Sequence, residues 1–206
     1  MKIIKINPEQ PENEAILEAV KILKSGGVIV YPTETLYGLG SNAFDKKAVK
    51  RVFEIKSREK KPIAVAAKNL KDAKKLVEFN SLAIKIAKRF LPGPLTMILP
   101  LKDKRLEPLS IGTKNLGIRI PDNIVTQKIL KFCSFPITTT SANISGGNNP
   151  VNAEDAINQI GERVDLILDA GKCELGQPST IISTTNNEIK IIRKGAIPEE
   201  EILKIK

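Results

Sequence analysis

From end to end, short apolar runs of strand length alternate with longer amphipathic ones, and this alternation constrains the fold more than any other feature. Strand-like runs are "KIIKI" at Lys2, "GVIVYP" at Gly27, "PIAVAA" at Pro62, "LTMILP" at Leu95, "LGIRIP" at Leu116 and "PITTTS" at Pro136, with others near Leu166, Ile181 and Ile191. Helical spacing of apolar residues predicts helices over Glu14–Lys24, Lys46–Ile55, Leu70–Val77, Leu82–Phe90, Ile124–Phe132 and Ala153–Ile160. Strands alternating with helices predict an α/β fold. Asn152 and Asp155 are placed to open the last helix, as an Asx cap and a first-turn carboxylate. At 206 residues, 41% of them apolar, the chain is sized for one buried domain spanning 1–206.

Several chemistries are excluded or disfavoured. The chain has no histidine, which removes imidazole catalysis, Ser-His-Asp and Cys-His pairs and His-ligated metals. Cys133 and Cys173 stand far apart, so neither a disulfide framework nor a CxxC zinc site is expected, and no metal site built from protein ligands is predicted. No run approaches the ~18 apolar residues of a membrane span and no leader peptide is evident, so a soluble, cytoplasmic protein without membrane partners is expected. The net charge of +10 suits an anionic substrate or partner, such as a nucleotide or RNA. Its lysines scatter over segments read as exposed helix faces, which also fits a solvated surface. With six Phe and two Tyr and no Trp, little is available for stacking single-stranded RNA.

Three stretches end apolar runs with polar groups. In "YPTETLYGLG" the chain is expected to stay extended past Pro32, with Tyr31, Thr33 and Thr35 on one side and Glu34 opposite. Gly38 and Gly40 there allow unusual backbone angles or close approach by a ligand; read alone, the stretch also fits a β-edge with a turn. In "KSREKKP", Lys56 and Arg58 follow a helix end and point two cations one way, although a solvated charge run fits as well. "PITTTSANISGG" places Ser141 and Asn143 at the C-terminal end of a strand before a Gly-rich loop, where open α/β sheets bind ligands, or where hydroxyls merely cap backbone. "GIRIPD", "PSTIIS" and "IIRKG" add Arg119, Ser179, Thr180 and Arg193. The chain has 26 Lys and 7 Arg, yet three of the arginines (Arg58, Arg119, Arg193) fall in these stretches. A planar fork for carboxylate or phosphate explains that choice better than solubility does.

Taken together, the chain resembles the YrdC-like family of threonylcarbamoyl-adenylate synthases from about Val28 to Ile197, with "YPTETLYGLG", KxR, "PGPLT", "GIRIPD", "TSANISG", "PST" and "IIRKG" in family order. The resemblance implies a twisted mixed sheet flanked by helices around a large cationic cavity. It implies a nucleotidyltransferase that joins L-threonine, bicarbonate and Mg2+-bound ATP into threonylcarbamoyl-AMP and pyrophosphate. The product would be handed to the tRNA threonylcarbamoyl transferase machinery for t6A37 modification. The implied catalytic signature is Lys56, Arg58, Ser141 and Asn143. Thr35, Arg119, Thr139 and Ser179 are the implied threonine pocket. Arg58, Lys61, Asn115, Ser141, Asn149 and Arg193 are the implied ATP side. Two departures stand out: Glu59 replaces a common proline in a shorter loop before Pro62, and Ala66 stands where relatives often have His. Competing readings are an RNA- or tRNA-binding module, with weak RNA binding also compatible with the enzyme, and a carbamoyl-adenylate-forming relative that uses carbamoyl phosphate.

Overall fold

Every side chain from Val28 to Tyr31 is buried, yet the four divide between two cores: Val28 and Val30 pack in one, Ile29 and Tyr31 in the other. A strand behaves this way when both faces of its sheet are covered. The computed structural model describes residues 1–57 and 61–205. Among them the strands are β1 (Lys2–Lys5), β2 (Val28–Tyr31), β3 (Gly38–Ser41), β4 (Ala64–Ala66), β5 (Leu95–Pro100), β6 (Asn115–Arg119), β7 (Ile137–Ser141), β8 (Leu166–Asp169), β9 (Thr180–Ser183) and β10 (Lys190–Arg193). They form one sheet in the order β1-β8-β2-β3-β7-β4-β6-β5-β9-β10. The pairs β1·β8, β2·β8, β4·β6 and β5·β9 are parallel and the others antiparallel, so the sheet is mixed.

The helices are α1 (Asn13–Lys24), α2 (Lys46–Ile55), α3 (Leu70–Leu76), α4 (Ser81–Phe90), α5 (Glu107–Ser110), α6 (Ile124–Phe132), α7 (Ala153–Ile160) and α8 (Glu199–Leu203). Helices α1 and α6 cover the face that holds Ile29 and Tyr31; α2, α3, α4, α5, α7 and α8 contribute to the core on the other. Side chains of Asp45, Asn69, Asn80, Asn123 and Asn152 cap α2, α3, α4, α6 and α7 by accepting from first-turn amides. Each cap satisfies amides that a helix start leaves without partners.

The structure corrects the reading of Tyr31 to Gly40. The chain does not stay extended past Pro32. It bends over Glu34–Leu36 and re-enters the sheet as β3, antiparallel to β2. Neither Gly38 nor Gly40 has a positive φ. They make room instead: an added Cβ would lie 2.8 Å from Tyr31 Cζ at Gly38 and 2.6 Å from Tyr31 Cε1 at Gly40. The Tyr31 ring lies across both glycines, and its hydroxyl donates to the Thr138 carbonyl at 3.2 Å.

Candidate active site

Sheet register assembles the site. Arg119, last in β6, pairs with Thr96 on one side and Ala66 on the other. Thr139 pairs with Ala64, Ser141 with Gly38, Ile181 with both Thr96 and Arg193. These strand ends, the Thr35–Gly38 turn, Asn149 and the Pro178–Ser179 segment enclose a cavity of about 150 Å³. Of the residues singled out in the sequence, Thr35, Arg119, Thr139, Ser141, Asn149, Ser179 and Arg193 line it. Arg119 and Arg193 are its charged lining residues among those described.

At one end, hydroxyls cluster around a buried guanidinium. Arg119 is 7% exposed and donates from Nη2 to Thr35 Oγ1 at 2.7 Å and to Thr33 Oγ1 at 3.4 Å. The two threonine hydroxyls lie 2.9 Å apart, and Thr33 Oγ1 donates to the Leu36 carbonyl at 2.6 Å while accepting from the Thr35 and Leu36 amides. The threonines therefore meet through a hydroxyl-closed turn, not through strand alternation. Glu34 is not opposite them, as extended backbone would require. Its Oε1 lies 2.9 Å from Arg119 Nη2, so the arginine already has an internal carboxylate partner. Arg119 Nε is buried and has no hydrogen-bond partner among the described residues.

Ser179 joins this end to Arg193. Its hydroxyl is 2.8 Å from Thr96 Oγ1, while Arg193 Nη2 donates to the Ser179 carbonyl at 2.7 Å and hydroxyl at 3.2 Å. The residues assigned separately to threonine and to ATP are thus in direct contact here. Thr96 lines the cavity but was not singled out; its side of β5 is marked only by one hydroxyl in an apolar run.

Beside the cavity, Lys56 is 1% exposed, just past the end of α2. Its ammonium donates to the carbonyls of Ser141 at 2.6 Å and Asn143 at 2.8 Å and to Asn143 Oδ1 at 3.1 Å. Ser141 Oγ donates to the same Oδ1 at 2.6 Å, and Asn143 Nδ2 donates to the carbonyls of Gly147 and Asn148 at 2.9 and 3.1 Å. KxR and SxN are therefore joined through Lys56, which holds the turn that presents Ser141. Neither Lys56 nor Asn143 lines the cavity.

Other expected residues lie elsewhere. Asn115 starts β6 at the far end from Arg119, its amide bonded to the Thr113 carbonyl at 3.1 Å; it does not line the cavity. Exposed Lys61 precedes the lining residue Pro62. Arg58 and Glu59 lie outside the described residues. Ala66 is buried beside Arg119. Burial raises the thiols of Cys133 and Cys173 to about 11. A larger hollow of about 290 Å³, lined by Phe44, Arg105, Cys133 and Phe135 among others, contains none of the implied site residues.

Comparisons with known proteins give the family and the fold's relatives. A family model, Sua5_yciO_yrdC, described as "Telomere recombination", matches residues 21–195. The chain belongs to the Sua5/YciO/YrdC family. It is 39% identical over 204 residues to a putative threonylcarbamoyl-AMP synthase of Methanocaldococcus jannaschii, covering 98% of this chain and 95% of that one. The crystal structure of Pyrococcus abyssi Sua5 complexed with L-threonine superposes with a TM-score of 0.95 at 34% identity, over 100% of this chain and 61% of that one. Escherichia coli YciO superposes with a TM-score of 0.90 at 28% identity, over 98% of this chain and 100% of that one. The chain therefore matches the full length of some relatives and about three fifths of the Sua5 chain. Among the described residues, no helix is long and apolar enough to cross a membrane.

Proposed function

We propose that this protein is a threonylcarbamoyl-AMP synthase, a nucleotidyltransferase acting in the cytoplasm on L-threonine, bicarbonate and ATP. The observation that carries the reading is Arg119: a buried guanidinium at a cavity wall, bonded to Thr35 in a cavity that Thr96, Thr139 and Ser179 also line, with an Nε that no group among the described residues satisfies. A buried donor without a partner is costly, and an amino-acid carboxylate arriving at this end would supply acceptors. The hydroxyls beside it suit the polar groups of a small hydroxy amino acid. Arg193, Ser141 and Asn149 line the remaining wall and suit phosphate and ribose oxygens.

The reaction asks little of protein acid-base groups, which fits a chain without histidine. The threonine amine nitrogen attacks CO2 derived from bicarbonate and loses a proton, giving a carbamate. A carbamate oxygen then attacks the α-phosphorus of ATP; the P–O bond to the β-phosphate breaks and pyrophosphate leaves. In this reading the residues position the reactants and balance developing negative charge. In this reading Mg2+ enters bound to the ATP phosphates. The adenylate would pass to the tRNA threonylcarbamoyl transferase machinery.

The test is pyrophosphate release from ATP and Mg2+, which should require both L-threonine and bicarbonate. Equal release without threonine would sink the assignment, and release with carbamoyl phosphate in place of both would favour the carbamoyl-adenylate reading. Direct RNA binding through several phosphates would show itself separately, by a steep loss of affinity with salt.

A further inference from the structure

Glu34 is 4% exposed, and neither of its carboxylate oxygens accepts a hydrogen bond from the described residues. Burying a carboxylate without donors is unfavourable unless a charge compensates it. That charge is Arg119, whose Nη2 lies 2.9 Å from Oε1. Glu34 is absent from the cavity lining, whereas Arg119 and Thr35 are part of it. The carboxylate thus stands behind the arginine, in the second layer of the wall. Thr35 Oγ1 accepts from the same nitrogen at 2.7 Å, so both contacts fall on Nη2. The backbone carbonyl of Glu34 accepts from the Leu175 amide at 2.9 Å, which ties the turn to the chain just before Pro178 and Ser179.

We infer that Glu34 is a positioning residue for the carboxylate anchor: it holds the Arg119 guanidinium oriented while the cavity is empty, leaving the nitrogens other than Nη2 for the substrate. The inference rests on the reading that Arg119 receives the carboxylate of threonine. Two features separate this role from plain structural pairing. The contact is a charge contact without hydrogen-bond geometry, and it falls on one nitrogen of a fork whose Nε has no other partner among the described residues. A geometric error of about 1 Å at a binding fork can cost ~100-fold, so losing the rear contact should be felt at the ligand.

The experiment is calorimetric titration of wild type, Glu34→Gln and Glu34→Asp with L-threonine and, separately, with Mg-ATP, beside each protein's melting temperature. For Glu34→Gln, threonine should weaken by ~10- to 100-fold while ATP stays within about twofold. Glu34→Asp keeps the charge but draws it back by one methylene, and should show a smaller loss of the same selectivity. If Glu34→Gln fails to fold, Glu34→Asp carries the comparison alone. Equal weakening of both ligands with a lower melting temperature would overturn the inference in favour of a structural pair. Tighter threonine binding would overturn it by making Glu34 a competitor of the substrate. Absence of threonine binding to wild type would instead refute the reading on which it rests.

Discussion

Lys56 shows how far burial can change the meaning of a charged residue. The sequence presents it beside Arg58 in a polar run, among 26 lysines, as a cation free to reach a phosphate. In the fold it is buried, and its ammonium is engaged by three oxygens of the 141–143 turn. Its effect on chemistry therefore passes through the Ser141 and Asn143 backbone, and a variant would not keep an intact fold as an exposed cation's would. Replacing it by Met removes the charge at similar length but leaves buried carbonyls without their donor, at roughly 2–4 kcal/mol. In a chain of this size, Lys56→Met should lower the melting temperature by roughly 5–15 °C and weaken ATP and threonine together. A stable variant with selective loss of turnover would return the ammonium to the reacting phosphate. The arginine argument fared differently. Choosing Arg in a lysine-rich chain picked out Arg119 and Arg193, both of which line the cavity, because a fork is selected by what it must hold and not by solubility.

Elements with strong apolar periodicity were legible from the sequence, and those made by pairing were not. Helices α2, α6 and α7 begin and end where apolar spacing places them, α7 behind the Asn152 cap expected from the sequence. Strand β3 was missed because "GLGS" has almost no strand propensity of its own; its neighbours β2 and β7 recruit it, and its glycines serve the Tyr31 ring. The site residues inside strand-end motifs were legible for the same local reason, whereas the Glu34–Arg119 contact joins positions 85 residues apart through a turn whose shape depends on Thr33 hydrogen bonds. The packing of β3 on Tyr31 makes its own prediction. Gly40→Ala should destabilise by ~1–3 kcal/mol, since a methyl there meets the ring at overpacked distance. In a Tyr31→Leu background the same change should cost much less, the two sites being in contact. Urea unfolding of the four proteins measures the coupling, and additive costs would show that Gly40 is required for some reason other than the ring.

For the whole molecule, the absence of histidine governs how stability responds to pH. Between about pH 5 and 8 the side chains that titrate unperturbed would be imidazoles, which this chain lacks. The two thiols are raised by burial to about 11, so they stay protonated throughout that window. Below it the carboxylates take over. Asp72 and Asp103 are held under the usual carboxylate range, chiefly by bonds from Lys75 and Arg105. For Asp165, burial alone would raise the pKa, but the bonds from Arg51 and the Val28 amide outweigh it and the net shift is downward. A carboxylate whose folded pKa is depressed contributes stability that is present above its unfolded pKa and lost as pH falls through the folded one. Acid also raises the net charge: protonating the 23 carboxylates takes +10 to the +33 of the Lys and Arg side chains, and the self-repulsion grows with it. The melting temperature should therefore be nearly flat from about pH 5.5 to 8 and fall steeply below about pH 4. Added salt should recover part of the loss by screening the repulsion. Asp165→Asn should start lower at neutral pH and fall less steeply in acid, because the group that would have taken up the proton is gone. Calorimetric melting across this range checks all three, and a step between pH 6 and 7 would contradict the account.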